Sequence, residues 1–219
     1  MVDISISEKI EMIRQDIGTE VKLVAVSKTK PNDFVMEAYN VGQRDFGENK
    51  VQELREKMST LPKDIKWHFI GKLQTNKVKY LVENVELIHT LSSLKLLLKI
   101  ESEFAKVNKK ANVLIQINIG REENKNGILE EELDDLIEAI EKCSFVAVKG
   151  IMVILPKGDE ESNRYYFKRS RDIFNTLKEK NYTNIKAEIL SMGMSGDYKI
   201  AVEEGSNLVR VGSGIFGTR

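Results

Sequence analysis

Eight short apolar runs recur along the chain, and most are separated by segments whose apolar residues repeat at helical spacing. That alternation narrows the fold more than any single residue does, because strands apolar on both faces need helices on both sides. The runs are KLVAVSK (22–28), DFGEN (45–49), KWHFIG (66–71), ELIHTL (86–91), NVLIQINIG (112–120), FVAVKGIMVI (145–154), AEILSMG (187–193) and NLVRVGS (207–213). Ahead of the first, Ile6, Ile10, Ile13 and Ile17 make one apolar stripe on a helix from about Ser5 to Ile17. Later helices are expected from Pro31 to near Gly42, after Asn49, from about Gln74, beyond a cap at Ser92 or Ser93, over 129–142, from Asp159 to Lys180, and from Ser195. Gly150 is expected to break or bulge the sixth run. Units of roughly 25–30 residues make a closed (β/α)8 barrel the economical α/β architecture, with an open doubly wound sheet as the alternative. No helix is expected after the eighth strand, so the N-terminal helix is predicted to take the seat beside it. Residues 1–219 read as a single domain, since no linker or charge block divides them.

The 34 basic and 34 acidic residues leave no net charge, which argues against broad nucleic-acid or membrane-surface binding. The one cysteine, Cys143, permits no internal disulfide and fits a reducing compartment. With His68 and His89 at unrelated spacing, it builds no zinc-type cluster. The segment MVDISISEKIEMIRQDI carries charges throughout and is neither signal peptide nor membrane span, so a cytoplasmic location is expected.

In a barrel of this kind chemistry gathers at the C-terminal ends of the strands. Those ends carry Lys28, Glu48 with Asn49, His68 with Gly71, His89 with Thr90, Asn118 to Gly120, Ser191 to Ser195, and Arg210 to Ser213. Two of them have the composition of anion sites. MGMSGD (192–197) leads from a strand into a helix with Ser195 at the expected N-cap, so backbone N–H groups and the helix dipole face an anion. RVGSGIFG (210–217) spreads glycines that let successive amides fold into a concave nest. They follow strands seven and eight, where barrel enzymes often hold phosphate. A lysine across the mouth from a phosphate site makes pyridoxal phosphate a candidate ligand, and aldolase-type Schiff bases stay open as well. An amine attacks an aldehyde only when neutral, which burial or neighbouring cations favour. Lys28 shares strand parity with Val24 and Val26, and Lys30 and Arg210 are the expected neighbouring charges.

The motifs AVSKTKP, FGENKVQE, WHFIGKLQTNK, GIMVILP, LSMGMSGD and VRVGSGIFG occur in the order seen in the pyridoxal phosphate homeostasis protein family, which the chain resembles from about residue 21 onward. The resemblance implies a fold like the barrel domain of alanine racemase, with covalently held pyridoxal 5'-phosphate and a part in vitamin B6 and amino-acid homeostasis without an established reaction. Lys28, closing AVSK, then stands where the family has its Schiff-base lysine. Arg210 is similar to the arginine that faces the pyridine nitrogen, and Ser195, Gly212 and Ser213 resemble the phosphate cradle. Asn49, Met192 and Gly193 are expected to line the cofactor, while His68 and Gln74 belong to the motifs without an assigned contact. Ser213 and Gly214 depart from the usual Thr-Ala, and the serine keeps the hydroxyl.

An arginine at the ring nitrogen only donates, which weakens the ring as an electron sink. Racemases of the alanine type add a tyrosine from a second domain of the partner subunit, and the sequence ends at Arg219 without one. The expectation is therefore a monomeric binding protein that holds the cofactor and passes it to apo-enzymes. The alternative is a pyridoxal phosphate-dependent racemase or lyase that recruits Tyr165, Tyr166, His68 or His89. Trp67, Cys143 and the acidic run EELDDLIEAIE are read as packing, a small buried filler and a solvated helix face.

Overall fold

The computed structural model describes residues 4–218; the outermost positions of the expected 1–219 domain lie outside the described residues. Helix α1 (Ile6–Ile17) begins with a reciprocal cap, in which the Ser5 hydroxyl accepts from Glu8 N–H and the Glu8 carboxylate accepts from Ser5 N–H. The strands are β1 (Lys22–Val26), β2 (Asp45–Glu48), β3 (Lys66–Phe69), β4 (Val85–Leu91), β5 (Ala111–Ile117), β6 (Val146–Val153), β7 (Ile185–Ser191) and β8 (Leu208–Val211). They are all parallel and close into a barrel in sequence order, with β1 bonded to β8 from Lys22↔Leu208 to Ala25↔Val211. The closed barrel, and not the open sheet, is the architecture.

Helices α2 (Asn32–Asn40), α3 (Val51–Thr60), α4 (Leu94–Lys106), α5 (Leu133–Glu141), α6 (Glu160–Glu179), α7 (Tyr198–Glu203) and α8 (Ser213–Phe216) surround it. Ser93, not Ser92, caps α4, its hydroxyl accepting from Leu96 N–H. Two layers of packing result. Most buried apolar side chains, Ile10, Phe46, Phe69, Leu97 and Phe167 among them, fill the space between strands and helices. Val24, Leu87, Leu114, Met152 and Leu208 form a separate cluster inside the barrel.

Three expectations change. After β3 the chain makes a 3-10 turn (Thr75–Tyr80) instead of an α-helix from Gln74. Val78 within the turn and Leu81 just after it are buried and three apart, and three residues per turn bring them to one side. A short helix, α8, does follow β8, and α1 packs between it and α2, so the N-terminal helix fills only part of the last seat. Ser195 is not an N-cap: α7 starts at Tyr198 after Asp197, whose carboxylate accepts from Met194 N–H at 2.6 Å and closes a turn that projects Ser195 sideways.

Gly150 does mark an irregularity in β6. Its φ of +142° suits glycine, and an added Cβ would come within 1.9 Å of the Ile189 carbonyl oxygen. Among the described residues no helix is long and apolar enough to cross a membrane.

Candidate functional site

A cleft of about 410 Å³ opens at the C-terminal ends of β1, β2 and β8, a size in the range of small-molecule sites. Its walls include Lys28, Lys30, Asn49, Ser195, Arg210, Gly212 and Ser213. β1 stops at Val26, so Lys28 stands in the turn beyond the strand and not in it. The parity argument still holds: Val24 belongs to the interior cluster, while Val26 and Lys28 both line the cleft. Lys28 is half-buried, and the Lys30 ammonium donates to the Thr218 carbonyl at 3.2 Å on the cleft's edge.

Opposite the lysine, the loops after β7 and β8 are joined by one hydroxyl. Ser195 Oγ accepts from Gly212 N–H at 3.2 Å and from Gly214 N–H at 3.0 Å, which leaves its own proton to donate. The anion-site composition of both segments therefore becomes one cradle, although by this bridge and not by a cap on α7. Asn49 contributes a buried side-chain oxygen without a partner among the described residues. Its backbone lies so close to Gly71 that a Cβ there would fall 2.0 Å from the Asn49 carbonyl oxygen. Gly71 was visible in the sequence only as a strand end; its part in seating Asn49 needs the neighbouring strand.

Arg210 is buried in the floor of the cleft, and burial draws its guanidinium down to about 10, so it stays a cation at neutral pH. Its two terminal nitrogens donate to Ser191 Oγ at 2.5 Å and to the Val153 carbonyl at 2.8 Å. From Ser191 a chain of contacts crosses the barrel interior. Ser191 Oγ lies 3.3 Å from His89 Nδ1, His89 Nε2 lies 2.9 Å from His68 Nδ1, and His68 Nε2 lies 2.9 Å from Asp45 Oδ1. Asp45 and its neighbour Lys22, 3.5 Å away, stand at the opposite mouth. Burial first, then the charges of His68 and Arg210, pushes His89 well below the ordinary imidazole value. One donor order satisfies every contact: Arg210 donates to Ser191, Ser191 to His89 Nδ1, His89 Nε2 to His68 Nδ1, and His68 Nε2 to Asp45.

Met192 and Gly193, expected along the cofactor, do not line the cleft. Met192 is fully buried between barrel and helices. Gly193 has φ +95°, packs against Ala201, and accepts from Arg210 N–H through its carbonyl, so it seats the arginine's backbone instead. The cleft adds Ile70, Ile154, Met194 and Gly196, apolar or small members of the WHFIGKLQTNK, GIMVILP and LSMGMSGD motifs to which the sequence assigned no individual contact. Tyr165 and Tyr166 line a different groove, beside Asn118 to Arg121. Gln74 is absent from the cleft walls. Trp67 packs against Phe46 as expected, with ring centroids 6.0 Å apart.

Comparison with known proteins agrees with the fold. The family described as alanine racemase, N-terminal domain, matches residues 4–219. A pyridoxal phosphate homeostasis protein of Aquifex aeolicus is 43% identical over 90% of this chain and 87% of its own. The structure of PipY from Synechococcus elongatus without PLP superposes with a TM-score of 0.91 at 33% identity, covering 97% of this chain and 100% of that one. PipY with PLP bound gives a TM-score of 0.88 at 32% identity, with the same coverage. The chain belongs to the alanine racemase N-terminal-domain family, among the pyridoxal phosphate homeostasis proteins.

Proposed function

We propose that this protein binds pyridoxal 5'-phosphate in the cleft between Lys28 and the Ser195–Gly212 cradle and serves the cell's supply of that cofactor. The observation that carries the reading is the convergence in one cleft of an amine, a buried guanidinium and a hydroxyl bridged to two loop amides. The residues would fit the group: the Ser195 hydroxyl keeps its proton for a phosphate, and the unpartnered Asn49 oxygen can accept from a hydroxyl. When bound, pyridoxal phosphate supplies a reactive aldehyde and an electron-withdrawing ring.

In this reading Lys28 would hold the group through its side-chain amine, and the bound cofactor would supply an aldehyde able to condense with that amine. Arg210, Ser195, Gly212, Ser213 and Asn49 would bind and orient the group. Arg210 donates only, so it favours an unprotonated ring nitrogen and discourages carbanion chemistry.

The same reading makes the protein a carrier and not an enzyme. The side chains considered as a second acid or base do not meet Lys28: Tyr165 and Tyr166 line another groove, and His68 and His89 are engaged in the buried chain. It further takes residues 1–219 as one barrel domain, monomeric, cytoplasmic and delivering the cofactor to apo-enzymes. Borohydride reduction of the loaded protein followed by peptide mass spectrometry tests attachment. A pyridoxyl group on Lys28, lost in Lys28→Ala, is expected; an unmodified wild-type chain would overturn the reading. A panel of L-amino acids should show no turnover above a Lys28→Ala control, and sustained racemization would establish the enzymatic alternative.

A further inference from the structure

A second lysine lies beneath the turn that carries Lys28, and the cleft makes no use of it. Lys57, on α3, is buried, and its ammonium spends all three protons: on the Ser27 carbonyl at 2.7 Å, Glu48 Oε1 at 2.7 Å and Glu53 Oε1 at 2.8 Å. Ser27 Oγ donates to the same Glu48 oxygen at 2.7 Å, and Thr29 N–H donates to Glu53 Oε1 at 2.5 Å. Both residues that flank Lys28 are thus tied to one carboxylate–ammonium cluster.

Two features set this cluster apart from ordinary packing. Thr29 holds φ at +64°, a conformation that β-branched residues avoid. The cluster is also costly, since Glu48 is fully buried and its second carboxylate oxygen lacks a partner among the described residues. Buried ion clusters of this kind contribute little net stability, so the arrangement calls for another use. The motif FGENKVQE supplies both carboxylates, Glu48 and Glu53, next to the cleft residue Asn49.

We propose that Glu53 and Lys57 are positioning residues which hold the Ser27–Thr29 turn in a strained conformation, so that the Lys28 amine is aimed into the cleft before any cofactor arrives. The proposal rests on the reading of Lys28 as the attachment point.

The test compares wild type, Glu53→Ala, Glu53→Gln and the double variant Glu53→Ala/Thr29→Asn. The Glu53→Gln side chain keeps an acceptor for Thr29 N–H, and asparagine adopts positive φ more readily than threonine. Two readouts are taken: amide exchange across residues 28–30 in cofactor-free protein, and the rate at which added pyridoxal phosphate becomes borohydride-trappable on Lys28. Glu53→Ala should speed the exchange and slow trapping by about tenfold or more, as small misplacements of a reacting group do. Glu53→Gln should behave like wild type, and Thr29→Asn should restore a large part of the rate. Wild-type exchange and trapping in Glu53→Ala would overturn the proposal. So would an equal loss in all three variants with a lowered Tm, which marks a merely structural role. An adduct on some other lysine of the wild-type protein would instead overturn the attachment reading, and this proposal with it.

Discussion

Arg210 is held by a hydroxyl and a carbonyl and not by a carboxylate, so its positive charge is left for whatever occupies the cleft. Ser191→Ala removes the hydroxyl and leaves a guanidinium N–H without an acceptor in the barrel interior. A loss of about 1.5–3 kcal/mol is expected in urea unfolding, together with weaker cofactor binding. His89 makes the fold sensitive to acid. Its folded value lies well below 6.5, so below pH 6.5 the unfolded chain takes up a proton that the folded one refuses. The stability it contributes is full above that point and falls as pH drops, by up to about 1.4 kcal/mol per pH unit. Burial of Glu48 raises its carboxyl and acts in the opposite sense, being lost as pH rises from 4.5 toward the raised value. That contribution is common to wild type and His89→Gln and cancels between them. Urea midpoints at pH 7.5 and 5.5 should therefore lie further apart in wild type than in His89→Gln. Cys143 is pushed up to about 11 by burial and should react slowly with thiol reagents at pH 8 until the protein is unfolded.

Among the elements, β6 depends most on one residue. Gly150→Ala must move the β7 backbone at Ile189 and should cost about 3 kcal/mol or more, whereas Gly196→Ala, with nothing within 4 Å of its added Cβ, should fall within about 0.5 kcal/mol of wild type. Urea midpoints for the pair check both. The sequence announced Gly150 as an irregularity because a lone glycine in a β-rich run has few other uses. It did not announce where α7 begins. Ser195 and Asp197 are both ordinary capping residues, and the Met194–Asp197 turn that decides between them is a tertiary arrangement. Lys28, Ser195 and Arg210 were legible for a simpler reason: polar residues at the ends of apolar runs mark a barrel's functional rim. The Asp45–His68–His89–Ser191 chain was not, since its members sit on β2, β3, β4 and β7 and meet only across the barrel interior. The sequence offered nothing to single out Glu53 and Lys57 on their charged helix, because their contacts to Ser27 and Thr29 come from a different part of the chain.

At the scale of the whole molecule, the alternation of runs was enough to count the strands and close the barrel, while α8 was too short for its four residues to show a period. The stripe on α1 was plain, and it covers the helical layer where first and last units meet. Ile10→Ala, at a position with no solvent exposure, should lower stability by about 2–5 kcal/mol. That meeting place is also where the cleft lies. Lys28 follows β1 and Arg210 belongs to β8, so partners from opposite ends of the sequence become neighbours only when the seam between those strands has zipped. A ligand gripping both sides works as a clasp across the seam, recognising the closed barrel alone and adding about 2.7 kcal/mol at a hundredfold excess over its Kd. Contacts between distant parts of a chain form late in folding. During refolding, the absorbance of captured cofactor should rise with the slowest phase and so serve as a timer for the barrel's final closure.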